Sequence, residues 1–121
     1  ALAQIVTNLV VNSLTHGFEG RTVGRIDLTV QVDAERVQLI YRDDGNGMSP
    51  EDRRRIFQPF FTTRRGQGGS GLGMNIVFNL VTKAFGGYII CDSRPGEGVK
   101  FTLTLPLQAI ERELSSQGKS G

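Results

Sequence analysis

The segment that most constrains this chain is GQGGSGLG at positions 66–73, in which five of the eight residues are glycine. Glycine adopts backbone angles that other residues avoid, and it leaves main-chain N–H groups uncovered. An apolar segment with helical spacing, Met74 to Phe85, follows directly. Since a helix N-terminus adds unpaired N–H donors and a partial positive charge, the segment predicts an anion site, most often for phosphate. The alternative is a flexible glycine linker.

Two familiar phosphate loops do not fit the segment. No Gly-Lys-Ser/Thr follows the glycines, which excludes a P-loop. Positions 66, 68 and 71 match G-x-G-x-x-G, but Pro59 and the pair Arg64-Arg65 precede them where a dinucleotide site needs a strand.

Composition bounds the class of protein. The 121 residues suit one domain, and a net charge of +2 is too small to indicate nucleic acid or a membrane surface. One cysteine and one histidine disfavour a zinc site and exclude an internal disulfide, which fits a reducing compartment. The first residue lies inside a helical pattern with no Met before it. We therefore expect a cytoplasmic fragment of a longer protein, and that parent protein could be membrane-anchored.

Hydrophobic spacing predicts three helices and four strands. Helices are expected over 1 to about 18, over 49 to about 57, and from 72–74 to 85. Strands are expected at 26–32, 37–41, 88–93 and 101–105, with a loop of about a dozen residues over 59–70. We place the domain at 1–107 and a polar, fraying tail at 108–121. Because most strands alternate, the pattern predicts an α/β two-layer sandwich (α+β) with a mostly antiparallel, mixed sheet and helices packed on one face.

A polar stripe runs along the first helix. Gln4, Asn8, Asn12 and His16 stand four apart and carry no fixed charge. A surface stripe is usually rich in Lys and Glu, so this one indicates a half-buried face that needs neutral hydrogen-bonding groups. A solvated stripe is the alternative.

A second polar cluster, Asp43-x-Gly45-x-Gly47, follows the second strand. By itself it suits a turn-forming Asp before glycine as well as a ligand-binding carboxylate.

Taken in order along the chain, these segments resemble the catalytic ATP-binding domain of sensor histidine kinases. That domain has the Bergerat fold and belongs to the superfamily shared with gyrase, chaperone and mismatch-repair ATPases. The resemblance covers nearly the whole chain, and it is carried by NLVVNSLTHGFEG, DDGNGM, IFQPFFTT, GGSGLGMNIVFNLV and GGYIICDSRPGEGVKFTLTLP.

The resemblance implies a role for each box. Asn12 would supply a neutral oxygen to Mg²⁺, and Asn8 would orient Asn12, the phosphates or a water. Asp43 would accept from the adenine amino group, with Gly45 and Gly47 allowing close approach of the backbone to the base. The walls of the pocket would come from Met48, Ile56 and Phe57. Further nucleotide contacts would come from Thr15, His16, Thr62, Thr63, Gly69, Ser70, Gly71, Leu72, Gly73 and Thr102.

The lid of the family would begin at Phe60 and Phe61. Arg64 and Arg65, with Asn8, are the candidate catalytic residues: the arginines would offset charge on the γ-phosphate. A solvated basic pair is the alternative for the arginines.

The implied activity is transfer of the γ-phosphoryl group of ATP to a histidine on a separate dimerisation and phosphoacceptor domain of the same protein. The parent would be a dimer that passes the phosphoryl group to a response regulator, with no nucleic acid involved. His16 is not the expected acceptor, because it ends the polar stripe and no acidic residue follows it directly. The fragment alone should bind nucleotide without autophosphorylation.

Three other functions stay open. A related ATPase would use a Glu as general base, where this chain has Asn8. A serine kinase of the anti-sigma type would also carry NSLTHGF, and a degenerate binding module would keep the boxes without activity. The chain departs from the family pattern at Val99-Lys100, where a Thr is frequent, and at Asn75, where a small or apolar residue is frequent.

Overall fold

The computed structural model describes residues 1–59 and 73–120 as an α+β domain. Its helices are α1 (Leu2–Asn12, continued by a π-helical turn over Ser13–Gly17), α2 (Pro50–Arg55), α3 (Gly73–Asn79, continued by a π-helical turn over Leu80–Ala84) and α4 (Leu107–Ser120). Its strands are β1 (Ile26–Val32), β2 (Arg36–Asp43), β3 (Tyr88–Ser93) and β4 (Val99–Pro106).

The four strands form one sheet in the order β1-β2-β4-β3, and each neighbouring pair is antiparallel. The predicted two-layer α+β architecture is confirmed. The expected mixed character is not seen in the part of the chain described, since every pairing there is antiparallel.

The core lies between the sheet and helices α1 and α3. Strand β2 contributes Leu39 and Tyr41, and β4 contributes Phe101 and Leu103 in the same register. The helices cover this face with apolar side chains at helical spacing: Ile5, Leu9, Met74, Val77 and Val81. Each such side chain, fully buried, stabilises the fold by about 1.5–3 kcal/mol.

Strand β1 is an exception to the predicted half-buried pattern. Val30 pairs with Leu39 and points to the same face, yet Val30 is 54% exposed and Leu39 only 6%. Leu28 and Val32 are exposed in the same way. The alternation in the sequence is correct, but the described helices leave this edge strand uncovered.

Local hydrogen bonds close the predicted turns. Asp33 Oδ1 accepts from the N–H groups of Glu35 (2.8 Å) and Arg36 (2.7 Å), which closes the β1–β2 hairpin. Ser49 caps α2 by accepting from the Asp52 N–H at 3.1 Å, as its position before Pro50 predicts.

The polar end of the chain differs from the expectation that it frays. Residues 107–120 form α4, which packs against the main body through the buried Ile110. One turn further on, the carboxylate of Glu113 accepts from the Leu2 N–H at 3.0 Å. These contacts hold α4 against the start of α1. The composition of residues 107–120 does not indicate them, because the partners lie elsewhere in the chain. No helix of the described residues is both long and apolar enough to cross a membrane.

Candidate functional site

The site is organised around the carboxylate of Asp43 at the end of β2. Its side chain is only 7% exposed. Oδ1 accepts from the N–H groups of Gly45 (3.0 Å) and Val99 (3.1 Å), and Oδ2 accepts from the Ser13 hydroxyl (2.7 Å). A carboxylate offers about four acceptor positions. One position on Oδ2 is therefore left for a further donor.

Strand alternation explains why this carboxylate points into the helical layer. Asp43 lies two residues after the buried Tyr41, so both side chains project from the same face of the sheet. The π-helical turn at the end of α1 meets them there, and such turns are frequent at functional sites. The turn brings Ser13 to Asp43 across 30 residues of sequence.

Glycines make this contact possible. A Cβ atom on Gly17 would lie 2.9 Å from Oδ2 of Asp43. A Cβ on Gly45 would overlap the Gly17 carbonyl, which itself accepts from the Asn46 N–H at 2.7 Å. Gly47 has φ of 71° and lies against the Arg94 carbonyl. The close approach that Gly45 and Gly47 allow within the chain is therefore between backbone segments. Their approach to a base stays a prediction.

The loop after Asp43 is tied to the β3–β4 turn. The Met48 N–H donates to Ser93 Oγ at 2.9 Å, and Ser93 donates to the Gly98 carbonyl at 2.7 Å. The Gly96 N–H donates to the Asn46 carbonyl at 2.7 Å. The loop after Asp43 is thus connected to the sheet through Ser93, a residue that sequence reasoning did not single out.

The polar stripe of α1 is half-buried at Asn8, Asn12 and His16, and Thr15 is half-buried beside it; only Gln4 is exposed. For most of the stripe this favours the half-buried alternative over the solvated one. Nδ2 of Asn8 has no exposed surface and finds no hydrogen-bond partner among the residues described. A buried amide donor left unpaired costs about 1–3 kcal/mol, so this atom requires an acceptor that the described residues do not provide.

Asn12 directly precedes Ser13, the residue that binds Asp43. The two polar features predicted separately, the α1 stripe and the Asp43 loop, therefore meet at the end of α1. An amide carbonyl at Asn12 is a neutral oxygen of the kind Mg²⁺ accepts, and it adds no charge that would repel a phosphate.

Two of the predicted wall residues, Phe57 and Met48, lie at the edge of the core. Phe57 and Met48 are half-buried and pack against the core, and Phe57 stacks on Phe78 with 5.4 Å between ring centroids. Asn75 Nδ2 donates to the Phe57 carbonyl at 3.0 Å, which gives this unusual asparagine a role in holding the segment. Ile56, predicted as a wall residue, is buried in the core.

The structure does not place Thr102 beside Asp43, although Thr102 was among the predicted nucleotide contacts. It pairs with Ile40 of β2 and Ile90 of β3, on the face of the sheet without helices, whereas its neighbour Phe101 points into the core. Because successive side chains of a strand alternate between faces, Thr102 points away from Asp43. The residue of β4 that reaches Asp43 is Val99, through its N–H.

Several predicted residues lie outside the described part of the chain, namely Phe60, Phe61, Thr62, Thr63, Arg64, Arg65, Gly69, Ser70, Gly71 and Leu72. Gly73 is described: it begins α3, and a Cβ atom there would meet open space.

Sequence reasoning missed Ser13 and Tyr41. Ser13 is fully buried, and its Oγ lies 2.6 Å from the Tyr41 hydroxyl, which in turn lies 3.1 Å from the Leu9 carbonyl. The signal was present: Ser13 continues the apolar stripe Ile5, Leu9 at intervals of four. A hydroxyl on a core-facing stripe needs a partner, and that partner was not sought.

Burial sets the electrostatics around the site. It raises the pKa of the Tyr41 hydroxyl, an effect that the hydrogen bond between Tyr41 and Ser13 partly offsets. It also raises the pKa of the Cys91 thiol to about 12. Both groups are therefore neutral at ordinary pH.

A cavity of about 500 Å³ borders this region, and Asp43, Ser93 and Val99 are part of its lining. Its charged lining also includes Arg42, Asp92 and Lys100, which are neighbours in register on the face without helices.

Comparison with known proteins shows consistent similarity. The family model described as histidine kinase-, DNA gyrase B- and HSP90-like ATPase matches residues 1–109. The alginate biosynthesis sensor protein KinB of Pseudomonas aeruginosa is 34% identical over 106 residues, which is 88% of this chain and 17% of KinB. The sensor histidine kinase YcbM of Bacillus subtilis is 35% identical over 109 residues, 87% of this chain and 34% of YcbM.

Solved structures of histidine kinases are similar to this chain as well. The catalytic domain of histidine kinase ThkA superposes with a TM-score of 0.72 at 30% identity, covering 87% of this chain and 66% of that one. Full-length ShkA in complex with AMPPNP superposes with a TM-score of 0.71 at 34% identity, covering 87% of this chain and 21% of that one. The chain thus spans only a small part of the sensor proteins it resembles.

Proposed function

Because this chain belongs to the family of histidine kinase-, DNA gyrase B- and HSP90-like ATPases, we propose that it binds ATP with Mg²⁺ and donates the γ-phosphoryl group to a histidine on a separate domain of its full-length protein. The observation that carries the proposal is the buried Asp43 carboxylate, held by the Ser13 hydroxyl at the end of the helix that bears Asn8 and Asn12. The match to a crystal structure of ShkA with AMPPNP supports a nucleotide ligand.

The base is held by Asp43. Its remaining acceptor position on Oδ2 takes one N–H of the adenine amino group, and half-buried Met48 and Phe57 supply apolar contact for the ring. Concave, largely apolar pockets with a few placed polar groups are the usual form of cofactor and nucleotide sites.

The phosphates and the metal are held by the α1 stripe. Asn12 provides a carbonyl oxygen for Mg²⁺, and the unpartnered Nδ2 of Asn8 donates to a phosphate oxygen or a metal-bound water. When bound, Mg²⁺ would neutralise part of the charge on the phosphates.

Phosphoryl transfer then depends on positioning and on charge neutralisation rather than covalent chemistry by this domain. The acceptor histidine belongs to a dimerisation and phosphoacceptor domain, and a response regulator receives the phosphoryl group next. We place the reaction in the cytoplasm and expect the full-length protein to be a dimer. Arg64 and Arg65 are the proposed cations at the γ-phosphate.

Hydrolysis is the weaker candidate. A related ATPase needs a general base for the attacking water, and the amide of Asn8 cannot accept that proton. We therefore expect negligible steady-state release of phosphate from ATP by this chain.

The first test is calorimetric titration of AMPPNP with Mg²⁺ into the 121-residue chain and its Asp43→Asn variant. The substitution places an NH₂ group against the adenine amino group or breaks one of the three bonds that hold the side chain. We expect at least a tenfold loss of affinity, equivalent to about 1.4 kcal/mol. Asp27→Asn, which changes an exposed carboxylate of the edge strand β1, is the matched control. Normal binding by Asp43→Asn would contradict the pocket assignment.

The second test concerns transfer. The full-length protein, incubated with γ-labelled ATP, should acquire acid-labile label on a histidine, whereas the 121-residue chain alone should acquire none. Label on a serine, or steady release of phosphate, would instead support the serine kinase or the ATPase.

A further inference from the structure

We propose that Ser13 and Tyr41 form a two-hydroxyl relay that aims the Asp43 carboxylate at the amino group of the bound base, and so set the preference of the site for a 6-aminopurine. The inference rests on the nucleotide binding proposed above. Neither residue touches the ligand: both are positioning residues that act through Asp43.

The direction of the relay follows from counting protons. Three close oxygen pairs involve two hydroxyl protons: Ser13 to Asp43 at 2.7 Å, Ser13 to Tyr41 at 2.6 Å, and Tyr41 to the Leu9 carbonyl at 3.1 Å. The Ser13 hydroxyl donates to Asp43 Oδ2, so the Ser13 proton lies towards Asp43. A contact of 2.6 Å needs a proton between its oxygens. Tyr41 therefore donates to Ser13, with the Leu9 carbonyl as a second, longer acceptor.

Tyr41 also removes the alternative partner of Ser13. A serine inside a helix commonly donates back to the carbonyl four residues earlier, which here is that of Leu9. The Tyr41 hydroxyl lies between these groups and is within hydrogen-bond distance of both. Ser13 is thereby left with Asp43 as its acceptor. Donation by Tyr41 polarises the Ser13 hydroxyl and strengthens its bond to the carboxylate.

Three donors then fix the plane of the carboxylate. They come from three separate parts of the fold: Ser13 at the end of α1, Gly45 in the loop and Val99 at the start of β4. Oδ1 has both acceptor positions filled, and Oδ2 keeps one. A carboxylate held in this way accepts a single donor such as the 6-amino group. It cannot form the two-bond pair with the adjacent N–H and NH₂ groups of guanine, which requires a vacancy on each oxygen.

The burial of the relay separates it from an ordinary surface network. Ser13 is 0% exposed and Tyr41 is 1% exposed. Apolar residues would pack at both positions, and fully paired polar groups in a core serve to specify one arrangement. Here the arrangement specified is the orientation of Asp43.

The test compares two ligands across three variants. AMPPNP carries the 6-amino group, and the corresponding imidotriphosphate of purine riboside lacks it. The ratio of their Kd values, measured with Mg²⁺ on the 121-residue chain, isolates the contribution of the amino group. For Ser13→Ala we expect this ratio to fall about threefold to tenfold, the range for one lost hydrogen bond to a charged group. Tyr41→Phe should change it in the same direction and by less.

Thr104→Val is the matched control, because Thr104 is also a buried hydroxyl but lies on the face of the sheet without helices. Its ratio should equal that of the unaltered chain. Ser13→Cys, with a weak donor of similar size, should give an intermediate ratio and serves if Ser13→Ala does not fold.

Each outcome decides a separate question. If the unaltered chain binds both ligands equally, base recognition by Asp43 fails, and the proposed function fails at that point. If the chain prefers the 6-amino ligand and Ser13→Ala, Ser13→Cys and Tyr41→Phe keep that preference, the relay is overturned, and the hydroxyls only hold α1 to the sheet. A loss of affinity for both ligands by the same factor is also the result of a purely structural role and overturns it.

Discussion

Ser13 donates a 2.7 Å hydrogen bond to Oδ2 of Asp43 and so joins the end of the first helix to the end of the second strand. The two residues are 30 positions apart, and neither the helix nor the strand by itself makes a site. Their contact puts the amides of the α1 stripe in one region with the acceptor position of the carboxylate that the described residues leave open. The following predictions test what this arrangement requires.

Gly17→Ala should destabilise the domain, because its Cβ would lie 2.9 Å from Asp43 Oδ2 and force the buried carboxylate to move. We expect a loss of about 1–3 kcal/mol, the range for disturbing a buried polar group, measured by urea unfolding. Gly73→Ala is the control, since a Cβ there meets open space and alanine is a better helix former. Equal stability of the two variants would mean that the packing of Gly17 against Asp43 does not matter.

Asn12→Ala should abolish the gain in nucleotide affinity that Mg²⁺ provides. In EDTA the variant and the unaltered chain should bind AMPPNP alike, and with Mg²⁺ only the unaltered chain should tighten. The reason is that Asn12 is the oxygen we assign to the metal. Gln4→Ala, an exposed amide on the same helix, provides the comparison. A variant that still responds fully to Mg²⁺ would remove Asn12 from the metal site.

Cys91 should be inert until the protein unfolds. Burial raises the pKa of its thiol to about 12, so the reactive thiolate is about one part in ten thousand at pH 8. Labelling with a thiol reagent at pH 8 should therefore be far slower in the folded chain than in urea. Since the pKa of the folded thiol lies above its ordinary value of 9.0, this group favours the folded state below pH 9, and that contribution is lost as the pH rises towards 12. Rapid labelling of the native chain would show that the thiol is accessible.

Asp33→Ala should weaken the β1–β2 hairpin in a manner that depends on pH. The N–H groups of Glu35 and then Arg36 lower the pKa of Asp33 from 3.8. A lowered folded pKa means that the charged side chain contributes stability above 3.8 and loses it as the pH falls through the folded value. The difference in melting temperature between the variant and the unaltered chain should therefore shrink below pH 4. A constant difference would show that the charge on Asp33 is not involved.

Leu39→Ala and Val30→Ala compare two apolar residues that face each other across β1 and β2. Leu39 is buried, so its truncation should cost about 2–5 kcal/mol of unfolding free energy. Val30 points to the same face but is exposed, and its truncation should cost less than about 1 kcal/mol. A large loss at Val30 would indicate that the face of β1 is covered in solution.

Much of the secondary structure was predictable because it follows from spacing within short segments. The apolar stripes of α1 and α3, the alternation of β2 and β4, the Ser49-Pro50 cap and the glycine that ends α3 at Gly86 depend on neighbours along the chain. The exposure of Val30 and the ordering of α4 by Ile110 were not predictable in this way. Both depend on which element packs nearby, and this cannot be inferred from local composition.

The candidate site, like the fold, was predictable from the sequence only in part. Asn8, Asn12 and Asp43 were found from their own segments and from the resemblance those segments carry. Thr102 was misplaced because the register of β4 decides the face to which each residue points, and Val99 was missed because its contribution is a main-chain N–H. A backbone donor has no signature in the residue type.

The amino-acid sequence alone determined the family of this protein, its two-layer architecture and the residue types of the proposed nucleotide site, because each of these follows from local periodicity and short motifs. Only the tertiary structure decided that Asp43 is held by Ser13, Gly45 and Val99, that one of its acceptor positions remains, and that Tyr41 supports Ser13 from within the core. The physical reason is that a hydrogen bond depends on distance and direction in space. Those are set by the packing of α1 on the sheet, not by the order of residues along either element.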